Sequence, residues 1–358
     1  MSHKNNHSFD WRKSSTVPES ALHQNEMRVC FINCRQDGVD ETHVLRRMLA
    51  CSRNSSCVEV GTPTEADLIL VTGILERDTF RDLRSNDIWQ QFPEKAFGYS
   101  EVDNVPSFLH GVYASASRFK GMFNRMQSGS YPGIRGWRQN ACSVPVPFYK
   151  NAKEFLFSFI GRKSHPVRKK LFRISWPGKD VLVADLTNEY NHWNDDVLNR
   201  LTFQTQYWET LAKSKFSLCP RGQGASSIRL FETMEVGVAP VVISDSWIPP
   251  IGINWKEFTI FIPEKKIHKL YDILKNHESE WMERGKLAEI AHKTRFADEI
   301  SWDQLMMAIE KIRSSQTIPE KWFVRAKYVI YGIERIHELR YKIPILLKSM
   351  LIQDKKKK

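Results

Sequence analysis

The 358-residue chain reads as an α/β protein in two successive halves, each built on an open parallel sheet. Three observations lead there. Short, continuous apolar runs alternate with helical stretches, as they do when strands are buried on both faces of a parallel sheet. The alternation begins near Met27 and begins afresh at Glu154. The length suits two domains of about 150 residues better than one.

In the first half, Met27 to Asn33 (MRVCFIN) predicts a strand that runs into the turn chemistry of Arg35 to Gly38. Glu41 to Leu49 predicts a helix and Ala66 to Thr72 (ADLILVT) a second buried strand. Between 75 and 150, aromatics and turn residues mix, and only strands or loops are expected. The second cycle has a strand at Phe155 to Ile160, a helix at Val167 to Ile174 and a strand at Asp180 to Asp185. A helix follows at Gln204 to Ser214, then a strand at Phe216 to Cys219, a helix at Ser226 to Val236 and strands at Ala239 to Ser244 and Phe258 to Pro263. Helices near 266–276, 279–295 and 301–314 complete the half. Prolines in Val144 to Asn151 (VPVPFYKN) mark the boundary. The expected division is a disordered tail at 1–25, a first domain at 26–150, a second at 151–318 and a helical tail at 319–358 packing back on the first.

Hydrophobic residues at 41% and charged residues at 26% allow each half a sizeable core. A net charge of +12 favours anionic partners. Lys and Arg are spread along the whole chain instead of forming one basic stripe, which argues against nucleic acid. The six Cys show no C-x-x-C pair of the zinc-site kind. No stretch reaches the roughly 18 apolar residues of a membrane span, since Ile343 to Ile352 is short and interrupted by Pro344 and Lys348. The polar start, without an apolar signal region, leads to the expectation of a cytoplasmic protein, at most peripheral to a membrane.

The chemistry concentrates in Lys215 to Asp245 (KFSLCPRGQGASSIRLFETMEVGVAPVVISD). A strand ends at Cys219, and Pro220, Gly222 and Gly224 then form a loop. A helix begins at Ser226 or Ser227, both good N-cap residues. Such a strand–glycine loop–helix unit presents backbone N–H groups and a helix dipole to an anion. Arg221 in the loop and Arg229 in the helix add guanidinium forks suited to phosphate oxygens. Glu232 supplies a carboxylate that can accept both hydroxyls of a ribose. Gly237 ends the helix before the next strand. A glycine loop alone is common, and Arg229 with Glu232 could be an ordinary surface pair.

The full pattern is more specific. Phe216 to Gly222, then Ser227, Arg229 and Glu232, then Gly237, Pro240, Val241, Ser244 and Asp245 closely resemble the signature of the exostosin glycosyltransferases. Trp247, Pro249, Pro250 and Ile253 to Trp255 continue the resemblance, and upstream so do Phe157 to Lys163 (FSFIGRK) and Val167-Arg168. It covers roughly 155–265. It implies a GT-B architecture, two Rossmann-like domains facing across a cleft, the second binding a nucleotide-sugar and the first most of a glycan acceptor. On this resemblance Arg221 and Arg229 position a diphosphate, and Ser227 adds its hydroxyl or N–H. Glu232 holds the ribose, Gly161 and Arg162 lie at the cleft mouth with Arg162 near the diphosphate, Gly222 binds the donor, and Ser244 and Asp245 end the next strand close to the donor.

The expected reaction is inverting transfer from a nucleotide-diphosphate sugar, a UDP-sugar by expectation, in glycan or polysaccharide synthesis. The acceptor expected is a glycan, with a lipid-linked one among the options. Neither a metal nor a further cofactor is expected: no D-x-D motif occurs, and Asn194-Asp195-Asp196 reads as a helix cap. The catalytic base is not legible. Asp37, Asp40, Asp103 and His110 are candidates from the first half, of which Asp103 and His110 stand out, although His110 in Phe108 to Val112 could equally be a core histidine. An exostosin-like module without turnover is the alternative.

Overall fold

A computed structural model describes residues 26–35, 39–73, 87–103, 105, 109–118, 124–135, 146–189, 197–326, 329–330 and 332. Strand β1 (Met27–Asn33) leads to helix α1 (Thr42–Cys51), β2 (Cys57–Glu59) and β3 (Leu68–Thr72). Then come α2 (Ile88–Gln91), β4 (Ala96–Ser100), β5 (Gly111–Tyr113), β6 (Met126–Ser128) and α3 (Pro132–Arg135). The six strands form one sheet in the order β2-β1-β3-β4-β5-β6, parallel at every pairing. Alternate residues serve opposite faces, as the pleat requires. Ile69 and Val71 join one core cluster with Cys30, Trp89 and Tyr113. Leu68 and Leu70 join another with Val29, Leu45 and Phe97.

The second half runs β7 (Phe155–Gly161), α4 (Pro166–Leu171), β8 (Val181–Asp185), α5 (Val197–Ala212), β9 (Ser214–Pro220), α6 (Ile228–Glu235), β10 (Ala239–Ile243) and β11 (Ile260–Phe261). Helices α7 (Leu270–Asn276), α8 (Trp281–Arg295) and α9 (Asp298–Ser315) follow. Its sheet is again parallel, in the order β11-β10-β9-β7-β8. Phe157, Phe159, Phe216, Val241 and Ile243 pack one face with Val167 and Leu171 of α4. Cys219 and Val242 face the other way, against Leu230 and Phe231 of α6 and Ala288 of α8. Gly237, at φ +72°, takes the left-handed conformation that ends α6.

Two details differ from the sequence expectation. The return to the first half comes before 318: α9 lays Trp302, Leu305, Ile309 and Ile312 against Val29, Leu68 and Leu70. The described part of the expected tail stays on that half, with Val324 and Ile330 packed on its other core cluster, and 333–358 lie outside the described residues. The expected helix near 266–276 is a 3-10 turn at Glu264–Lys269 followed by α7. The expected tail at 1–25, Asp37 and the Asn194 to Asp196 cluster lie outside the described residues.

The halves meet through their carboxyl-end loops. Ser117 pairs with Trp247, Arg118 N donates to Ser246 O at 2.8 Å and Ile248 N donates to Ala116 O at 3.2 Å. Both sheets thus turn the carboxyl ends of their strands toward one cleft, which is the GT-B arrangement.

Candidate functional site

The cleft has a volume of about 670 Å³. Its second-half wall is made where β7 and β9 lie side by side while their connections leave in opposite directions. Ligands gather at such a switch point in open α/β sheets. Gly161 ends β7 with Arg162 just after it, and Gly222 follows β9; all three line the cleft, as do Ser227, Arg229 and Glu232. Ser227 is the N-cap of α6, but its side chain makes no capping bond.

Arg168 of α4 lines the cleft too, although sequence reasoning gave it no role beyond the resemblance. Its Nε donates to Arg221 O at 3.1 Å and its Nη2 to Pro220 O at 3.0 Å. Arg229 donates from Nη2 to Ile160 O. The two guanidiniums flank the Phe159 ring, at 5.5 Å for Arg168 and 4.5 Å for Arg229, and Arg229 also lies 5.2 Å from Tyr207. Burial, with the charge of Arg229 added, pulls the Arg168 guanidinium down to about 10, so it remains a cation at neutral pH. Two adjacent cations held on main-chain carbonyls form a strong anion site.

Glu232 is buried beneath this pair, and Tyr207 Oη donates to its Oε2 at 2.9 Å. Burial and the Glu232 charge push the Tyr207 phenol well up, so it stays a donor. The first-half wall carries Glu101, Val102, Asp103 and Tyr131, which follow the ends of β4 and β6.

Five expected or candidate site residues do not line the cleft. Arg221 donates from Nη1 to Ser246 Oγ at 2.7 Å and from Nη2 to Gln223 O at 3.3 Å. Ser244 Oγ donates to Ala225 O at 2.7 Å, bracing the glycine loop from below. Asp245 exchanges bonds with Glu264: Asp245 N donates to Glu264 Oε1 at 3.2 Å, and Glu264 N donates to Asp245 Oδ1 at 3.1 Å. None of the three lines the cleft. His110 precedes β5, at the amino edge of the sheet and away from the cleft. It is stacked on Phe97 at 3.9 Å, with Nε2 bonded to Ala96 O at 2.9 Å and Nδ1 to Gln316 Oε1 at 3.0 Å. Of its two readings the core histidine holds. Asp40 lies just before α1 and accepts from Thr42 N and Oγ1 at 2.8 and 2.6 Å.

The signal for Arg168 was faint. Val167 and Leu171 form the buried edge of α4, and a helical wheel sets Arg168 and Lys170 at equal distance on its two borders. Only the fold decides between them. Among the described residues, no group of three or more His, Cys, Asp or Glu side chains could hold a metal, and no helix is long and apolar enough to cross a membrane.

Residues 143–277 match the family model of the Exostosin GT47 domain. Exostosin-1 homolog of Caenorhabditis elegans is 31% identical over 307 residues, covering 74% of this chain and 78% of that protein. Exostosin-1 of Drosophila melanogaster is 27% identical over 173 residues, covering 45% of this chain and 21% of that protein. A solved α1,3-fucosyltransferase with GDP-fucose shares 13% identity, covering 87% of this chain and 95% of that one at a TM-score of 0.37, too slight a likeness to bear on function. The family model spans the glycine loop, both cleft arginines and Glu232, and the worm relative extends the match through most of the chain: it belongs to the exostosin GT47 family of glycosyltransferases.

Proposed function

We propose that the chain transfers a sugar, with inversion and without a metal, from a UDP-sugar to a glycan. The observation that carries this reading is the Arg168–Arg229 pair at the β7/β9 switch point. Half-buried like charges repel, and a diphosphate between them relieves that repulsion. The same contacts strengthen as the leaving diphosphate gathers charge, so they favour the transition state over the bound donor. The amides of Ser226 and Ser227 at the start of α6 add to the anion site. Glu232, oriented by Tyr207, suits the ribose hydroxyls. The acceptor glycan lies against the first-half wall near Glu101 and Tyr131 in this reading. A lipid-linked acceptor and peripheral contact with a membrane are consistent with the net charge of +12.

Thermal unfolding against a panel of nucleoside diphosphates and nucleotide-sugars tests it. A ligand at 100 times its dissociation constant adds about 2.7 kcal/mol. UDP and its sugars are expected to raise the midpoint, with GDP and ADP inert and EDTA without effect on transfer. No shift with any nucleotide overturns the reading. Loss of transfer in EDTA, restored by a divalent ion, overturns its metal-independent part.

A further inference from the structure

Two carboxylates follow the carboxyl end of β4 into the cleft wall, and their surroundings differ. Glu101 is committed to holding its own half together. Its Oε1 accepts from Tyr99 Oη at 2.8 Å and from Gly133 N at 2.8 Å, and its Oε2 from Gly133 N at 3.1 Å. Those bonds hold the turn at α3 and engage both carboxylate oxygens within the first half.

Asp103, two residues on, is half-buried in the cleft wall. The amide of Gly224, from the glycine loop of the other half, hydrogen-bonds its carboxylate. The contact is close: a Cβ built on Gly224 would lie 2.5 Å from Asp103 Oδ1. Asp103 is therefore where the first half touches the loop that shapes the anion site. Burial raises its pKa, while the Gly224 amide and the charges of Arg168 and Arg221 oppose the rise. The Tyr131 phenol faces it from beyond β6 and is pushed up chiefly by burial, so it adds no charge.

We propose that Asp103 is the general base of the transfer. The assignment rests on the inverting glycosyl-transfer reading above. In the step, the acceptor hydroxyl oxygen forms a bond to the anomeric carbon with its own electron pair, and its proton passes to Asp103. The bond from the anomeric carbon to the diphosphate oxygen breaks, its pair leaving with the nucleoside diphosphate beside Arg168 and Arg229. The base stands on the first-half wall of the cleft and the leaving-group site on the second-half wall. A carboxylate raised above the ordinary Asp range is a better proton acceptor at neutral pH than a fully solvated one. The Gly224 bond ties the base to the phosphate loop, so it is in place only when the halves are together.

Asp103→Asn tests this, because its side-chain carbonyl can still accept from Gly224. Nucleoside diphosphate release is measured from UDP-glucuronate, UDP-xylose, UDP-galactose and UDP-N-acetylglucosamine, each with p-nitrophenyl glycosides as acceptors. UDP binding is followed by thermal shift. Asp103→Asn is expected to lower kcat by about 10²- to 10⁴-fold with UDP affinity within about threefold of the parent. The parent pH profile is expected to lose rate on the acid side, in a limb absent from the residual activity of Asp103→Asn. Should Asp103→Asn fail to fold, Asp103→Glu decides: a lowered kcat with a displaced acid limb supports the base, and an unmoved limb rejects it. Asp103→Asn with more than a tenth of the parent kcat overturns the proposal while leaving the transferase reading intact. A parent that neither binds UDP nor turns over any donor overturns that reading, and the base assignment with it.

Discussion

His165 shows how much one side chain governs near the cleft. Its Nδ1 accepts from Val167 N at 3.3 Å, capping the short helix that carries Arg168. That bond requires an unprotonated Nδ1. Burial first, and then the charges of Arg221, Arg168, Lys169 and Lys170, pull the imidazole down to about 4. An unfolded histidine titrates near 6.5. Between those values the unfolded chain takes up a proton that the folded chain refuses, so stability falls as pH drops from about 6.5 to about 4 and is unaffected above that window. His165→Asn keeps a capping acceptor without the titration and is expected to flatten this part of the stability–pH curve, measured by thermal unfolding from pH 4 to 8. An unchanged slope would mean that other groups carry it, His110 first, since burial lowers that imidazole as well. The sequence also left single residues unresolved on physical grounds. Arg229 and Glu232 were legible because they lie within a dense motif, whereas Arg168 sits among Lys169, Lys170 and Arg173, and only burial separates it from them. Ser244 and Asp245 were placed correctly along the chain. Their side chains turn to brace loops, a direction that strand position does not determine.

At the scale of elements, the glycine loop is where the halves are fitted together. A Cβ on Gly224 would lie 2.3 Å from Ser115 Oγ and 2.5 Å from Asp103 Oδ1, so the loop can dock only without a side chain. Gly224→Ala must push the loop off the first half. A shift of about 1 Å at a reacting centre can cost on the order of 10²-fold in rate. Gly224→Ala is expected to lower transfer at least tenfold, and adding Ser115→Gly, which removes the nearer obstacle, is expected to recover part of it. Kinetics of the single and double variants check this, and no recovery would place the damage within the loop itself. The same scale separates the strands that the sequence reveals from those it hides. β1, β3, β7, β9 and β10 are apolar runs because both their faces are buried. β4, β5 and β6 carry Gly98, Gly111 and Gln127 in short segments. Backbones approach closely there: a Cβ on Gly111 would lie 2.0 Å from Gly98 O, and one on Gly98 would lie 2.1 Å from Tyr113 Oη. Packing of that kind erases the hydrophobic signature on which strand prediction rests.

For the whole molecule, the chain crosses between halves near 146–151 and returns before α9, so the first half is completed by residues that follow the second. Beyond α9 the return is locked at the amino edge of the first sheet, away from the cleft. Arg125 Nε donates to Glu320 Oε2 at 2.9 Å, and Arg125 Nη2 also pairs with Glu320 Oε1. Gln316 Nε2 donates to Glu320 Oε2 at 2.9 Å, and Arg125 lies 3.7 Å from the Phe323 ring. Arg125 and Glu320 are both almost fully buried, with side-chain exposures of 3% and 1%. Removing one member of such a pair leaves the other as a lone buried charge and costs about 3–5 kcal/mol, whereas replacing both with apolar groups can be near neutral. Glu320→Ala and Arg125→Ala are therefore each expected to be strongly destabilising. The double variant Arg125→Met with Glu320→Leu is expected to recover most of the loss, as measured by urea unfolding. Because the network lies at the far edge of the sheet, kcat per folded molecule should be unchanged in the double variant. If stability is recovered but transfer is lost, the amino edge is coupled to the cleft, and the first half then acts as one lever whose tilt is set by the returning chain. If Glu320→Ala costs little, the return is held by the apolar contacts of Trp302, Leu305, Ile309 and Ile312 alone, and the polar lock serves to select the register of the returning chain instead of its strength.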